Sequence, residues 1–453
     1  MASTKLTRTF SSTGNRKIFT TSFWMKRSKL GGQQPLFSTD LDNTNNNYTM
    51  FYLDGGDGIG FFNTDGGVSN VDYLTNRKLR DTNSWYHIVI VFDSTQSSGN
   101  RIKFYINGVR ETSFANSTEP NQDADNTWFN RTYEHMIGTR SYDSSTYFDG
   151  SMSHFHFIDG TAYDASYFGS TDSTTGEWKI NTGPSVTYGT NGFFILKDGN
   201  TITDSSPNSN HFSLGGGTLT KTEDNPSNVF ATGNILNVNS GAVGTFSNGN
   251  NTIKVANSTG SVFGSSSTLG MTTGKFYCEA KIITRDSTMI GVSPSPSEDA
   301  RNNKSPSGAN GSLAVGCLAE SGNKYISDNG TTYGAATAEG GIMMIALDLD
   351  NLKVYFGSGG QWSNGSGAWN QSGLTSGAAI SITAVASTAE GAYFFGFGDG
   401  GGSAKGKVSW NFGNGYFETT AVSSAGSNAS NNGIFEYDVP TGYTALSTKG
   451  LNL

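Results

Sequence analysis

At 453 residues the chain is longer than one hydrophobic core usually serves, and roughly 150 residues per domain predicts two or three units. Charged residues make up only 15% and aromatics 12%, including 29 Phe and 19 Tyr, which excludes a disordered chain because disorder combines high charge with few aromatics. The net charge of -8 is spread along the chain with no basic run beyond pairs such as Lys26-Arg27 and Arg77-Lys78, which excludes the clustered cations that nucleic-acid binding needs.

The N-terminus, Met1-Ala2-Ser3-Thr4-Lys5-Leu6-Thr7-Arg8, has no apolar stretch of the kind a cleaved signal carries. The longest apolar runs, 88–92 and 342–347, are too short to cross a bilayer, so a chain made in a cytoplasm, unexported by a signal and not inserted in a membrane is expected. Period-two alternation then recurs from end to end, with almost no helical period. Residues 17–24, 48–53 and 85–92 read as strands. Arg101-Ile102-Lys103-Phe104-Tyr105-Ile106 followed by Asn107-Gly108 and Val109-Arg110-Glu111-Thr112 reads as a type I′ hairpin, because both central positions of that turn take positive φ. Residues 151–158 form a late strand closed by Asp159-Gly160.

Alternation lapses around Gly215-Gly216-Gly217 and Glu223-Asp224-Asn225-Pro226-Ser227-Asn228, which divides the chain into residues 1–217, a linker 218–233 and residues 234–453. Strands resume at 274–282, with Phe276, Cys278, Ala280 and Ile282 predicted inward and Tyr277, Glu279 and Lys281 outward. Further strands are predicted at 342–349, 352–356, 379–386, 391–397 and 407–412. Many short strands without intervening helices predict an all-β chain of two antiparallel β-sandwiches, jelly-roll in type, in tandem. The two cysteines, Cys278 and Cys317, alternate with core residues and read as buried free thiols.

The first half carries Gly14-Asn15-Arg16-Lys17, Ser22-Phe23-Trp24-Met25-Lys26-Arg27, Leu36-Phe37-Ser38, Trp85-Tyr86-His87-Ile88-Val89 and Phe104-Tyr105-Ile106-Asn107-Gly108. Ile137-Gly138, Tyr147-Phe148-Asp149-Gly150 and Phe155-His156-Phe157-Ile158-Asp159-Gly160 follow in order. These segments resemble the laminin-G/pentraxin-like concanavalin superfamily, in the form found in structural proteins of marine tailed phages. In the second half, Gly274-Lys275-Phe276-Tyr277-Cys278-Glu279, Ile290-Gly291-Val292, Ile345-Ala346-Leu347-Asp348-Leu349-Asp350-Asn351 and Trp410-Asn411-Phe412-Gly413 resemble a SPRY-type concanavalin domain. One departure is Gly357-Ser358-Gly359-Gly360-Gln361-Trp362, where that family has a short Asn-Gly hairpin; a specialised loop is expected there. The resemblance implies a virion component on the particle surface (a fibre, capsid appendage or adhesin), a homo-oligomer such as a trimer, whose partners are other virion proteins and a host-surface glycan or protein. A free lectin and a polysaccharide depolymerase are the competing readings.

Chemistry is sparse. Glu436-Tyr437-Asp438 has the two-residue spacing of a glycosidase pair but lacks a third acid in register, and no catalytic residue is expected. Gly401-Gly402-Ser403-Ala404-Lys405-Gly406-Lys407 has the Gly and Lys spacing of a phosphate loop, yet it leads into a strand and reads as a turn. His154 and His156 are predicted to share a strand face without a third metal ligand. No cofactor is expected other than calcium, which the resemblance admits at loop rims. Its candidate ligands are Asp123, Asp125 and Asp204, and Asx turns satisfying their own backbone fit the same residues. Trp24, Trp85 and Trp410 lie within strand patterns and read as core, whereas Trp128, Tyr142, Tyr147, Trp362 and Trp369 fall in polar loops. These five are the rim candidates for a glycan or a protein partner, or for local packing.

Overall fold

The computed structural model describes residues 3–197, 199–238, 244–255, 263–294, 315–326, 329–388, 390–399 and 406–452. Among the described residues strand accounts for 45% and helix for 3%, an all-β architecture. Contacts divide it into two compact units, Met1–Lys221 with Asn225–Ser227, and Thr222–Asp224 with Asn228–Leu453.

In the N-terminal unit the described strands form a small two-stranded sheet, Gly169–Thr171 with Trp178–Ile180, and two large antiparallel ones. One runs Phe114–Thr118, Val68–Thr75, Ile59–Asp65, Tyr48–Leu53, Gln34–Asp40, Glu134–Ile137, Lys5–Thr9, Ser213–Gly216. The other runs Phe193–Ile195, Gly150–Asp159, Ile18–Arg27, Trp85–Asp93, Ile102–Ile106, Val109–Arg110. Alternation explains the packing: Phe19, Phe23, Ile88, Ile90, Phe92, Phe155 and Phe157 enter the core from the second sheet and meet Phe37, Phe51 and Phe61 from the first. The predicted hairpin is present, with Asn107 at φ +48° and Gly108 at φ +78°, and Ile106 paired with Val109. Its second strand stops at Arg110, short of the predicted Thr112.

The second sheet is buried on its outer face as well. Residues 160–192 cross it, and Ala165, Phe168, Trp178 and Tyr188 cover Val89, Val91, Ile158 and Phe194. Beneath them the Trp178 indole N–H donates to His87 Nδ1 at 3.0 Å, which leaves the ring proton on Nε2, 2.9 Å from Ser22 Oγ. His156 Nδ1 lies 2.9 Å from the Tyr188 hydroxyl, and its ring stacks on Phe194 at 3.9 Å. One end of the sandwich is closed by Asp159, which accepts Asn15 N–H and Asn130 Nδ2 on one oxygen and the Thr190 and Asn191 N–H groups on the other. Asn15 and Asp159 belong to the segments that carried the resemblance, so part of that signature is a buried polar knot.

In the C-terminal unit one described sheet runs Gly233–Val238, Phe263–Ser267, Phe394–Asp399, Thr288–Ser293, Val315–Leu318, Lys324–Ile326, Asn329–Thr331. The facing sheet runs Gly244–Ser247, Thr252–Val255, Lys407–Asn411, Lys275–Thr284, Ile342–Asp348, Lys353–Ser358, Gln361–Ser363, Trp369–Gln371. Phe276, Cys278, Ala280 and Ile282 enter the core as predicted, and both thiols are free and buried. The predicted strand at 379–386 is corrected: only Ile380–Ser381 pairs, and Val385–Ser387 is a 3₁₀ turn. The departure at 357–362 is not a specialised loop. Ser358 pairs with Gln361 across Gly359 (φ +62°) and Gly360 (φ +79°), a tight two-residue turn in which Gly-Gly meets the positive-φ requirement.

Tyr277 and Glu279 point away from that core, as predicted, but both are fully buried rather than solvated. Phe435, Val439 and Tyr443 pack over Tyr277, Met344 and Trp362, and burying a ring such as Phe435 contributes roughly 2–3 kcal/mol. The Glu279 carboxylate pins this cover by accepting from the Tyr277 hydroxyl (3.0 Å), Asn411 Nδ2 (3.2 Å) and the N–H groups of Glu436 (2.9 Å) and Tyr437 (2.8 Å). Among the described residues no helix is long and apolar enough to cross a membrane.

Candidate binding face

The strand Tyr48–Leu53 is apolar on both faces. Phe51 and Leu53 belong to the core, while Tyr48, Met50 and Tyr52 form a separate cluster on the outer face of the larger N-terminal sheet. Cross-strand register extends that cluster: Met50 lies opposite Phe62, and Phe62 lies opposite Asp72. Tyr52 lies opposite Gly60, where its ring occupies the space a side chain would take. Tyr142 joins from the loop 139–147, its ring 4.7 Å from Tyr48, and Tyr48 in turn lies 5.4 Å from Phe62.

That loop is held in several places. Thr139 bridges to Tyr147, and the Ser144 N–H donates to the Arg140 carbonyl at 2.9 Å. The Arg140 guanidinium lies 4.7 Å over the Tyr142 ring while Nε donates to Asp143 (2.9 Å) and Nη1 to Gln33 (3.0 Å). On the other flank Asn116 Nδ2 donates to Asp72 at 2.9 Å. Burial pushes the Tyr48 phenol up to about 12. The arrangement is a half-buried aromatic floor, Phe62 and Tyr142, with Arg140 at one side and Asp72 and Asn116 at the other. Such a floor takes the apolar face of a flat polar ligand, and its flanks supply donors and acceptors.

Residues 3–166, which contain this face, match the family model described as the Concanavalin A-like lectin/glucanases superfamily (Laminin_G_3), and the fold is concanavalin-like. No curated protein matches the chain. Among solved structures it is similar to the SPRY domain of human HERC1, at 14% identity over 39% of this chain and 96% of that one, with a TM-score of 0.29. A SAP-like pentraxin from Limulus polyphemus matches at 15% identity over 40% of this chain and 86% of that one, with a TM-score of 0.28. A human SPRY domain matches at 14% identity over 35% and 90%, with a TM-score of 0.26.

Of the five rim candidates, the structure brings Tyr142 and Tyr147 together in one loop and leaves both half-buried. Trp128 and Trp362 are corrected: they are 5% and 4% exposed and present no face to a ligand. Trp128 donates its indole N–H to the Thr64 carbonyl at 2.6 Å, and Trp362 packs in the second layer beside Tyr277. Trp369 is half-buried, its indole N–H given to the Ala335 carbonyl at 2.7 Å. Sequence reasoning missed Tyr48, Tyr52 and Phe62. The signal was available in Tyr48-Thr49-Met50-Phe51-Tyr52-Leu53, where the face opposite the core is aromatic instead of polar.

The calcium candidates do not fit a cation. Asp125 faces the Arg16 guanidinium at 3.0 Å, and Asp123, at φ +61°, faces Lys17 at 3.9 Å. Asp204 is buried with both oxygens taken, one by the Phe194 and Ser206 N–H groups, the other by Ser206 Oγ and the Asn210 N–H. Among the described residues no group of three or more His, Cys, Asp or Glu converges. His154 sits at φ +48° where the register shifts between Ser153 and His156, so a bulge interrupts the expected alternation. Glu436 and Asp438 lie in an irregular segment: Glu436 accepts from Ser423 and Asp438 from the Ser427 N–H, and no strand aims them together. Residues 401–405 of the phosphate-loop lookalike lie outside the described residues; Lys407 begins a strand.

Proposed function

We propose that this chain is a non-enzymatic surface protein of a tailed-phage particle, whose N-terminal unit holds a host-surface glycan against the face formed by Phe62, Tyr142 and Arg140. The observation that carries the reading is that aromatic floor on the outer side of a sheet, within the segment matching a lectin/glucanase superfamily. Flat rings pack against the C–H face of a sugar, and the flanking carboxylate, amide and guanidinium suit its hydroxyls. A binding role without hydrolysis is supported by Glu436 and Asp438, whose oxygens are engaged by neighbouring Ser residues off any strand. In the particle the chain assembles with copies of itself, as a trimer, and with other virion proteins.

Two measurements test this. Mass spectrometry of purified particles finds the chain among their components; its absence from mature virions rejects the virion role. Glycan-array binding of the isolated chain falls at least about tenfold in Tyr142→Ala and in Phe62→Ala, the loss of one aromatic contact. Binding unchanged in both variants removes the face from the reading, and sugar release from host polysaccharide replaces binding with catalysis.

A further inference from the structure

The C-terminal unit contains a pocket of about 350 Å³ that the reading above does not use. It exists because of an interruption in the sheet. The strand Lys407–Asn411 flanks Lys275–Thr284 only from Glu279 onward. Ahead of that point Thr444 and Ala445 take its place, pairing in parallel with Phe276 and Tyr277. The sheet edge beside Lys275 is left open, and Gly274, Asp350, Ser430, Tyr443 and Thr444 surround the opening.

The polar groups there are fixed and have capacity to spare. Asp350 lines the pocket and accepts the Gly274 N–H on Oδ1 at 2.9 Å, so its carboxylate keeps further acceptor capacity. Ser430 donates its hydroxyl to Asn428 Oδ1 at 2.7 Å, so its oxygen lone pairs can accept. Thr444 Oγ1 accepts from Asn432 at 2.9 Å, so its own proton can be donated. Lys275 Nζ is held by Asp348 at 3.0 Å and stands 5.9 Å from the Tyr443 ring, with two further N–H donors. Acceptors and donors therefore line the pocket together with the Tyr443 ring.

Charge selects the class of ligand. The charged residues lining the pocket are Lys275 and Asp350, and the Lys275 ammonium is already paired with Asp348, so the pocket has no surplus positive charge for a phosphate, sulfate or uronate. Its volume is at the small end of the roughly 300–1,000 Å³ typical of ligand sites. We infer that this pocket binds a single neutral pyranose unit, its hydroxyls shared between Asp350, Ser430, Thr444 and Lys275. The site is separate from the aromatic face of the N-terminal unit and stands or falls independently of it.

The test uses the full-length chain and saturation-transfer NMR with calorimetric titration. Methyl glucoside, galactoside, mannoside and N-acetylglucosamine are the neutral probes, and glucuronate is the anionic one. At least one neutral probe binds, glucuronate does not, and both Asp350→Asn and Ser430→Ala weaken binding by at least about tenfold, the worth of one hydrogen bond to a charged or oriented partner. Asp350→Asn keeps an oxygen for the Gly274 N–H, so unfolding is not expected, and an unchanged thermal transition checks this. Tyr142→Ala leaves the affinity unaltered. No binding of any neutral probe, stronger binding of glucuronate, or binding that survives both pocket variants and vanishes in Tyr142→Ala overturns the inference.

Discussion

In the N-terminal unit the strand Ile18–Arg27 lies mid-sheet, with a phenylalanine core on one side and residues 160–192 on the other. In the C-terminal unit the strand Lys275–Thr284 occupies the same kind of place, between its core and the cover that includes Phe435 and Val439. Each cover is pinned by ionisable groups out of water, but of opposite kinds. All five histidines fall at or before position 211, and His87, His135 and His156 are buried; the C-terminal unit has none and buries Glu279. Burial depresses His87 to about 3, His135 to about 4 and His156 well below its ordinary value, and it raises Glu279 to about 7 against four donors. A buried base and a buried acid both favour the neutral form, so the two units respond to acid in opposite directions.

The largest expected effect follows from that opposition. Below pH 6.5 an unfolded histidine binds a proton that the buried one refuses, so the N-terminal unit loses stability as pH falls toward 4. Three such groups set a slope of up to about 4 kcal/mol per pH unit. Glu279 works the other way: between about 4.5 and 7 the folded state holds a proton that the unfolded state has released, so the C-terminal unit gains about 2–3 kcal/mol as pH falls from 7 to 5. Scanning calorimetry from pH 7 to 5 separates two transitions, one moving down and one up. A single transition, or two moving together, breaks the comparison.

Glu279→Gln sharpens it. The amide keeps one acceptor oxygen and, on whichever side its NH₂ falls, sets it against a backbone N–H that can only donate, that of Glu436 or of Tyr437, a cost of about 2–3 kcal/mol confined to the C-terminal transition. The upward shift of that transition with acid disappears in the same variant. Trp178→Ala does the corresponding experiment on the other unit. It removes the indole donor and admits water to His87, costing about 2 kcal/mol at pH 7 and reducing the acid slope by about one third, because one of three protons is no longer refused. Histidine titration by NMR reads the change directly.

Much of the fold was legible because strand alternation and turn chemistry are local. Asn107-Gly108 specified its turn, and the Phe276, Cys278, Ala280, Ile282 row specified a core face. The second covers were not legible. Tyr277 and Glu279 alternate as outward residues should, and only a distant irregular segment, Phe435 through Tyr443, makes outward mean buried. The same gap explains the tryptophans: Trp128 and Trp362 sit among loop-forming residues, yet Thr64 and Tyr277, far away in sequence, enclose them. Tyr142 was recognisable as a loop aromatic, but its partners Tyr48 and Phe62 required the register between strands. Local pattern gives direction, and exposure depends on what lies in that direction.

The smallest effect compares the two tight turns. Gly359 stands at φ +62° with open space where a side chain would go, so Gly359→Ala carries only the left-handed backbone strain, about 1 kcal/mol. Gly108, at φ +78°, lies under the Trp178 ring, and an added methyl meets that ring as well as the strain. Gly108→Ala is therefore the costlier of the two, by about 1 kcal/mol or more. In a Trp178→Ala background the obstacle is gone, and Gly108→Ala falls to the cost seen at Gly359. A double-mutant cycle by denaturant unfolding gives the coupling; a coupling of zero means that the Trp178 ring does not rest on the turn, and with it goes the account of how residues 160–192 keep His87 dry.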